Sequence, residues 1–390
     1  MDLYHATKST AVPIFMNILF LTRSLNYGGS ERQLTLLATE LLKRGQKIVV
    51  ATFYPGGALR NDLSMAGVPT ISLEKRSRWQ VAGFVLRLIR YVHQVRPQIL
   101  HSYLGTANIL SVVLKPLFPF ASIVWGVRAS NMELEQYGWA DRLLYRIERG
   151  LSRFADLIIV NSQSGFDYAV AHGFPRKRMV VIHNGIDVER FRPNLEARHR
   201  WRKDWGIAQT DLLVGLVGRI DPMKGHETFL QAGALLTKER DNVRFVCVGD
   251  GSSAFRRTLL SLSEQLGLHK RLMWIHSCSD LVEMYNAMDV VTSSSSFGEG
   301  FPNVIGEAMA CGVPCVVTNI GDSALIVGST GVVVPPRDPQ ALAEGWSLVL
   351  DRLHREPGVG VLARARIIQH FALDRLVEAT QAALSRFQCG

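Results

Sequence analysis

The chain has 390 residues, 47% hydrophobic and 20% charged, a length for two or three domains and a mix that excludes wholesale disorder and coiled coil. Its net charge is +10, and the excess lies in the first half: up to Arg190 there are 23 Lys and Arg against 13 Asp and Glu, with 21 of each beyond. Such a balance suits nucleic acid, an anionic membrane surface or phosphorylated substrates, or serves solubility alone.

Residues 1–13 carry no periodic pattern and read as a loose leader, with Met16 as a second natural start. In the first half the strand candidates are Ile14–Leu21, Lys47–Phe53, Gln98–His101, Ser122–Gly126, Leu157–Asn161 and Met179–His183. In the second they are Leu212–Val217, Val243–Val248, Met273–His276, Val290–Ser293, Pro314–Val317 and Gly331–Val334. Short, continuously apolar runs of this kind fit strands buried on both faces of a parallel sheet, with crossover helices between them. Two such series predict an α/β protein of two doubly wound domains. The polar stretch Asp187–Asp211 reads as the linker.

Four motifs carry chemistry. Tyr27-Gly28-Gly29-Ser30-Glu31 follows the first strand and opens an amphipathic helix. Glycines there let backbone approach a phosphate at a helix N-terminus; a plain turn with Glu31 complementing the helix dipole fits equally. In Val217-Gly218-Arg219-Ile220-Asp221-Pro222-Met223-Lys224-Gly225-His226, Arg219 and Lys224 flank a strand end, where open sheets place ligands. They suit a diphosphate and the negative charge it gains as a leaving group; a solvated basic loop is the plainer reading. Val248-Gly249-Asp250-Gly251 is a further strand-end glycine turn, more structural than catalytic.

The most specific motif runs from Ser296 to Pro314, with Glu299 on a loop, Pro302 at a helix start, Glu307 inside that helix and Gly312-Val313-Pro314 at its end. Two carboxylates so spaced reach neighbouring hydroxyl-bearing rings of one extended ligand. The backbone N–H groups of Phe301-Pro302-Asn303 would face phosphates between those rings. Glu307 as an ordinary helix carboxylate is the alternative.

Taken in order, Gly28-Gly29, GRIDPMKG, GDG and the Glu299-to-Glu307 element resemble glycosyltransferase family 4, the retaining enzymes of GT-B fold. Val160-Asn161-Ser162, Asn184-Gly185-Ile186-Asp187 and the closing Phe371–Arg375 extend the likeness from about Met16 to the end. It implies two Rossmann-like domains facing across a cleft: an acceptor-side domain at 14–190, a nucleotide-sugar domain at 191–370, and a helix at 371–390 returning to the first. Arg219 and Lys224 would bind the donor diphosphate, Glu299 the transferred sugar and Glu307 the ribose. Gly249, Phe301, Pro302 and Asn303 would line the donor site, with Gly28 and Gly29 on its phosphate side. No metal and no cofactor is implied, since Arg and Lys stand where a cation would act. The donor would be a UDP- or GDP-sugar, the acceptor a glycan or lipid-linked precursor.

Two positions depart from the family. Arg128 stands where many members carry His after the strand Ser122–Gly126, and Leu325 where members often have Glu. Arginine stays protonated, so Arg128 is expected to clamp an anion rather than accept a proton; His101 is the other candidate for the missing imidazole, although a hydrogen-bonded strand-end histidine is the favoured reading. A silent nucleotide-sugar sensor and a basic nucleic-acid binder are the competing classes. The scattered Lys and Arg show no recognition module, so nucleic acid is not expected as a partner.

Five cysteines, Cys247, Cys278, Cys311, Cys315 and Cys389, form neither a disulfide framework nor a zinc module, which points to a reducing, cytoplasmic location. The segment Trp79–Arg96 has one apolar face and Arg87, Arg90 and Gln94 on the other. That pattern fits peripheral docking on an anionic membrane and, as well, a crossover helix packed on its sheet.

Overall fold

A computed structural model of the protein describes residues 15–75, 81–128, 138–276, 281–356 and 358–387. The leader 1–13, Arg76, Arg78, Trp79, Cys278 and Cys389 lie outside the described residues. Two parallel sheets form. The first holds β1 (Asn17–Thr22), β2 (Lys47–Thr52), β3 (Thr70–Ser72), β4 (Ile99–Tyr103), β5 (Ser122–Val127), β6 (Leu157–Val160) and β7 (Met179–Val181), in the order β3-β2-β1-β4-β5-β6-β7. The second holds β8 (Leu212–Val217), β9 (Val243–Val248), β10 (Leu272–Ile275), β11 (Val290–Ser293), β12 (Cys315–Thr318) and β13 (Val332–Val334), in the order β10-β9-β8-β11-β12-β13. Their centres are apolar on both faces: Ile18–Leu21 and Leu213–Val217 are buried throughout. Helices must therefore cover both sides, as the Rossmann-like doubly wound arrangement does.

Each sheet has one place where the strand order reverses. In the first, β1 lies between β2 and β4, with Leu19 opposite both Val49 and Leu100. In the second, β8 lies between β9 and β11, with Val214 opposite Phe245 and Val290. Crossovers leave such a point in opposite directions and open a crevice beyond the strands' carboxyl ends.

All twelve strand candidates form, with ends moved by a few residues. β3 escaped the reading because it is short, lies at the sheet's edge and follows Gly67-Val68-Pro69. The stretch Asp187–Asp211 is not a bare linker. It contains the helix Leu195–Asp204, whose N-cap Asn194 accepts from the Ala197 N–H at 3.0 Å. Arg202 is 0% exposed, because its guanidinium meets the Ala287 and Ala208 carbonyls at 3.0 and 2.8 Å and Asp289 Oδ2 at 3.2 Å. Long-range partners put this arginine inside.

By compactness the chain forms one unit from Met1–Gly126, Gly150–Ile158 and Val377–Gly390, and another from Val127–Arg149 and Ile159–Leu376. In the second, the closing segment joins through Ile186, which donates to the Phe371 carbonyl at 2.8 Å and accepts from the Leu373 N–H at 2.9 Å. In the first, Gln381 accepts from Arg44 Nη1 at 3.1 Å. The helix Val81–Val95 buries Phe84, Leu88 and Val92, and the Phe84 ring lies 4.8 Å from that of Phe53. Its apolar face is thus taken by the core, the crossover arrangement. Among the described residues no helix is long and apolar enough to cross a membrane.

Candidate functional site

The reversal between β8 and β11 brings two of the motifs together. The loop leaving β8 carries Arg219 and Lys224, and the loop leaving β11 carries Glu299. On the first, Asp221 Oδ1 accepts from the Met223 N–H at 3.0 Å and closes the turn Pro222–Lys224. Gly225 then takes φ +66°, and a Cβ there would lie 1.9 Å from the Ser294 carbonyl oxygen. This close approach lets Ser294 Oγ donate to the Lys224 and Gly225 carbonyls at 2.9 and 3.1 Å, while the Ser296 N–H donates to the Met223 carbonyl at 2.8 Å. Thr318, at the end of β12, holds the serine run from behind through the Ser293 and Ser295 carbonyls at 3.1 and 2.7 Å.

The functional side chains converge on this frame. Glu299 Oε1 receives both the Lys224 ammonium and the Ser295 hydroxyl, the latter at 2.7 Å. Lys224 and Glu299 are both largely shielded from water, at 18% and 9% side-chain exposure, which strengthens their attraction relative to a surface pair. Arg219 instead projects outward, 67% exposed and 3.3 Å from Asp221 Oδ2. Gly321, at φ +62°, passes so close that a Cβ would lie 2.6 Å from the Glu299 and Gly300 carbonyl oxygens.

Pro302 caps the helix Asn303–Ala310. Glu307 is buried in that helix, and its Oε2 accepts the Tyr285 hydroxyl at 2.9 Å. Phe301 turns its side chain into the core, with ring contacts to His183 and Phe371 at 5.7 and 5.4 Å, so its backbone remains the part that can face a ligand. At the start of the helix Asn303 Oδ1 accepts from Asn184 Nδ2 at 2.8 Å, and Asn184 Oδ1 accepts from Arg128 Nη1 at 3.0 Å. Arg128 is therefore tied to the first residue of the helix that carries Glu307. Leu325 is half exposed and anchors its turn through its carbonyl, which accepts from Arg366.

The other named residues are placed elsewhere. Gly249 serves packing: at φ +150°, a Cβ would lie 1.9 Å from the Gly218 carbonyl oxygen. Asp250 pairs with His276 Nδ1 at 2.6 Å. In the first unit, Gly28 precedes the helix Gly29–Lys43 just beyond β1, and a Cβ on it would meet Glu31 Oε2 at 2.2 Å. Burial raises the Glu31 carboxyl above its ordinary range, against the pull of its own backbone N–H. His101 lies inside β4, its ring among those of Phe20 and Tyr103 at 5.2 and 4.8 Å. It is a core histidine of that unit.

His226 follows Lys224-Gly225 and is enclosed. Burial, and then the Lys224 charge, depress its pKa to about 4. The unfolded chain therefore binds a proton that the folded chain refuses between that value and the usual 6.5. Stability should be full above this window and fall as pH drops through it, by about 3 kcal/mol for this group at about 1.4 kcal/mol per unit. Denaturant unfolding of His226→Gln from pH 7 to 4 should show a correspondingly flatter slope than the parent protein. Equal slopes would refute the assignment.

Several supporting residues were not singled out in the sequence. Tyr285 and Ser295 orient the two glutamates. Asp322 receives the Gln163 and Ser164 backbone N–H groups at 2.7 and 3.0 Å and lies 3.2 Å from His183 Nε2. Burial pushes the Asp322 carboxyl upward, but the bonds from His183 and those two amides outweigh it and hold it below the ordinary range. Asp322 directly follows Gly321, the one local signal that marked it.

Comparison with known proteins gives two successive matches. The family described as Glycosyltransferase Family 4 matches residues 27–190, and the family described as Glycosyl transferases group 1 matches 197–355. The chain is 33% identical over 240 residues to the D-inositol 3-phosphate glycosyltransferase of Mycolicibacterium smegmatis, covering 60% of this chain and 53% of that protein. It is 33% identical over 214 residues to the protein of that name from Corynebacterium glutamicum, covering 52% and 51%. The chain thus spans about half the length of the curated relatives it matches. Anabaena HepE, solved in complex with UDP and glucose, superimposes with a TM-score of 0.86 at 24% identity over 95% of this chain and 100% of that one. Sucrose-phosphate synthase from Thermosynechococcus elongatus has a TM-score of 0.79 at 20% identity over 96% and 100%. These likenesses show the GT-B fold.

Proposed function

The chain belongs to the glycosyltransferases, a family 4 domain followed by a group 1 domain, and from that premise we propose that it moves a sugar from a nucleoside-diphosphate donor to an acceptor hydroxyl with retention at the anomeric carbon. The observation that carries this reading is the meeting of Lys224 and Glu299 on the two loops of the β8/β11 reversal. The Lys224 ammonium, joined by the exposed Arg219, would bind the diphosphate and neutralise the charge it gains as the C1–O bond to phosphate breaks. Glu299 would bind hydroxyls of the transferred sugar, and Glu307, set by Tyr285, those of the ribose. The acceptor oxygen bonds to C1 on the face the diphosphate leaves, and its proton passes to a phosphate oxygen or a carboxylate. Arg128 cannot take that proton; tied to Asn184, it would clamp an anionic group.

UDP is the first base to try, since Anabaena HepE has been solved with UDP-glucose; GDP is the second. No metal is assigned a role, because Arg219 and Lys224 supply the positive charge. The acceptor is proposed to be a lipid-linked or glycan precursor at the cytoplasmic membrane face, in keeping with the basic first half. A thermal-shift screen of UDP- and GDP-sugars, with chelator present, tests the donor. A true donor at a hundredfold its dissociation constant adds about 2.7 kcal/mol of stability. Absence of any shift across both sets would count against the reading, as would a product of inverted configuration by NMR.

A further inference from the structure

We propose that Asp322 is a positioning residue for sugar transfer: it fixes the exit of the loop that carries Glu299, and so sets where that carboxylate meets the sugar. The inference rests on the transfer reading and adds to it a residue that acts only through Glu299. Glu299 stands between Gly298, at φ +76°, and Gly300. Neither neighbour has a side chain to pack, and glycine backbone is the least restricted of all. The carboxylate therefore keeps its place only as far as the loop is tied on both sides. The entry is tied by the Ser296 N–H on the Met223 carbonyl at 2.8 Å. The exit is tied by the Asp322 N–H, which donates to the Gly300 carbonyl at 2.9 Å. Gly300 also packs on the residues that lead into the helix Gln163–Ala171, where a Cβ on it would lie 2.9 Å from Asn161 Oδ1 and 3.2 Å from Ser162 Oγ.

The hold on the loop depends on what holds Asp322, which is only 4% exposed. Its carboxylate accepts from the Gln163 and Ser164 N–H groups at 2.7 and 3.0 Å. These are the first two amides of that helix, which find no acceptor within it. The positive end of the helix favours the ionised carboxylate, and His183 Nε2, 3.2 Å from Oδ2, adds a third contact. Bonds to a charged acceptor are about twice as strong as neutral ones, so the helix start becomes a firm post for the Glu299 loop. Asparagine has one oxygen in place of two and must release at least one of these contacts. A carboxylate that only caps a helix looks different. Asp338 Oδ1 accepts from the Ala341 N–H at 3.0 Å at the start of the helix Pro339–Arg355, a bond local to its own helix.

The test is calorimetric binding of UDP-glucose and UDP to the full chain, with GDP-mannose and GDP beside them, since Glu299 would meet only the sugar. In Asp322→Asn the affinity for the sugar nucleotide, relative to its bare nucleotide, should fall about tenfold, the weight of one hydrogen bond to a charged group. Affinity for the bare nucleotide should stay as it is. In a Glu299→Gln background the same change should shift the ratio little, because the two residues act through one contact. Asp338→Ala should lower the unfolding midpoint and leave the ratio alone, which separates positioning from lost stability. His183→Leu, which drops one contact to Asp322 and keeps an apolar side chain against Phe301, should lower the ratio less; it carries the test should Asp322→Asn fail to fold. A ratio that Asp322→Asn and His183→Leu leave unchanged overturns the proposal, as does full additivity with Glu299→Gln or an equal loss in Asp338→Ala. Binding of neither nucleotide pair by the parent protein would instead sink the transfer reading itself, and this inference with it.

Discussion

Replacing Glu299 by glutamine, or Lys224 by alanine, is expected to lower turnover at least about a hundredfold, the usual cost of one aligned electrostatic group in a water-shielded site. Glu299 Oε1 takes both the Lys224 ammonium and the Ser295 hydroxyl, so glutamine keeps the shape while removing the charge that fixes the lysine. Lys224→Ala removes the cation that would meet the departing diphosphate, and kcat should fall more than the donor KM rises. Because the two groups act through one contact, the double variant should be little worse than the worse single variant. Fold stability should fall by about 3 kcal/mol at most, since each variant leaves one charge of a shielded pair without its partner while the Ser295 hydroxyl still meets Glu299. Near-normal turnover of either single variant with its true substrates would remove this pair from the chemistry. Full additivity would mean that the two act separately.

That pair was legible in the sequence because strand periodicity placed both motifs at strand ends, and parallel sheets put ligands there. What could not be read was which strands are neighbours. Residues 224 and 299 come together only because β11, not β9, continues the sheet on the far side of β8. The same gap hid Tyr285 behind Glu307 and Asp322 behind His183, partners separated by 22 and 139 residues. Arg202 lies in the stretch read as a linker, and its burial rests on the Ala208 and Ala287 carbonyls and the Asp289 carboxylate, partners that linker composition does not reveal. His101 had two readings, a missing imidazole or a plain strand-end histidine, and its ring lies among aromatic neighbours that the sequence does not place. The apolar face of Val81–Val95 had two equal readings, and the burial of Phe84, Leu88 and Val92, with Phe53 against Phe84, separates them.

Gly225→Ala is expected to lose essentially all activity together with at least about 3 kcal/mol of stability, combining left-handed backbone strain with overpacking. Gly225 joins the turn Pro222–Lys224 to the helix His226–Leu236. Its φ of +66° costs an alanine about 1 kcal/mol wherever it occurs. At this position the new methyl would also lie 1.9 Å from the Ser294 carbonyl oxygen, a backbone atom that cannot swing aside. To relieve the clash the β8 and β11 loops must part. That breaks the Ser294 hydroxyl bonds to Lys224 and Gly225 and carries Lys224 away from Glu299. Gly206 supplies the control, with φ +65° and nothing within 4 Å of its would-be Cβ. Gly206→Ala should cost only the backbone strain, about 1 kcal/mol, and keep turnover. The two alanine variants share a dihedral angle and differ in the contact, so the gap between their unfolding midpoints measures the loop junction. Were Gly225→Ala to behave like Gly206→Ala in both stability and turnover, the close approach of these loops would not be what holds Lys224 against Glu299.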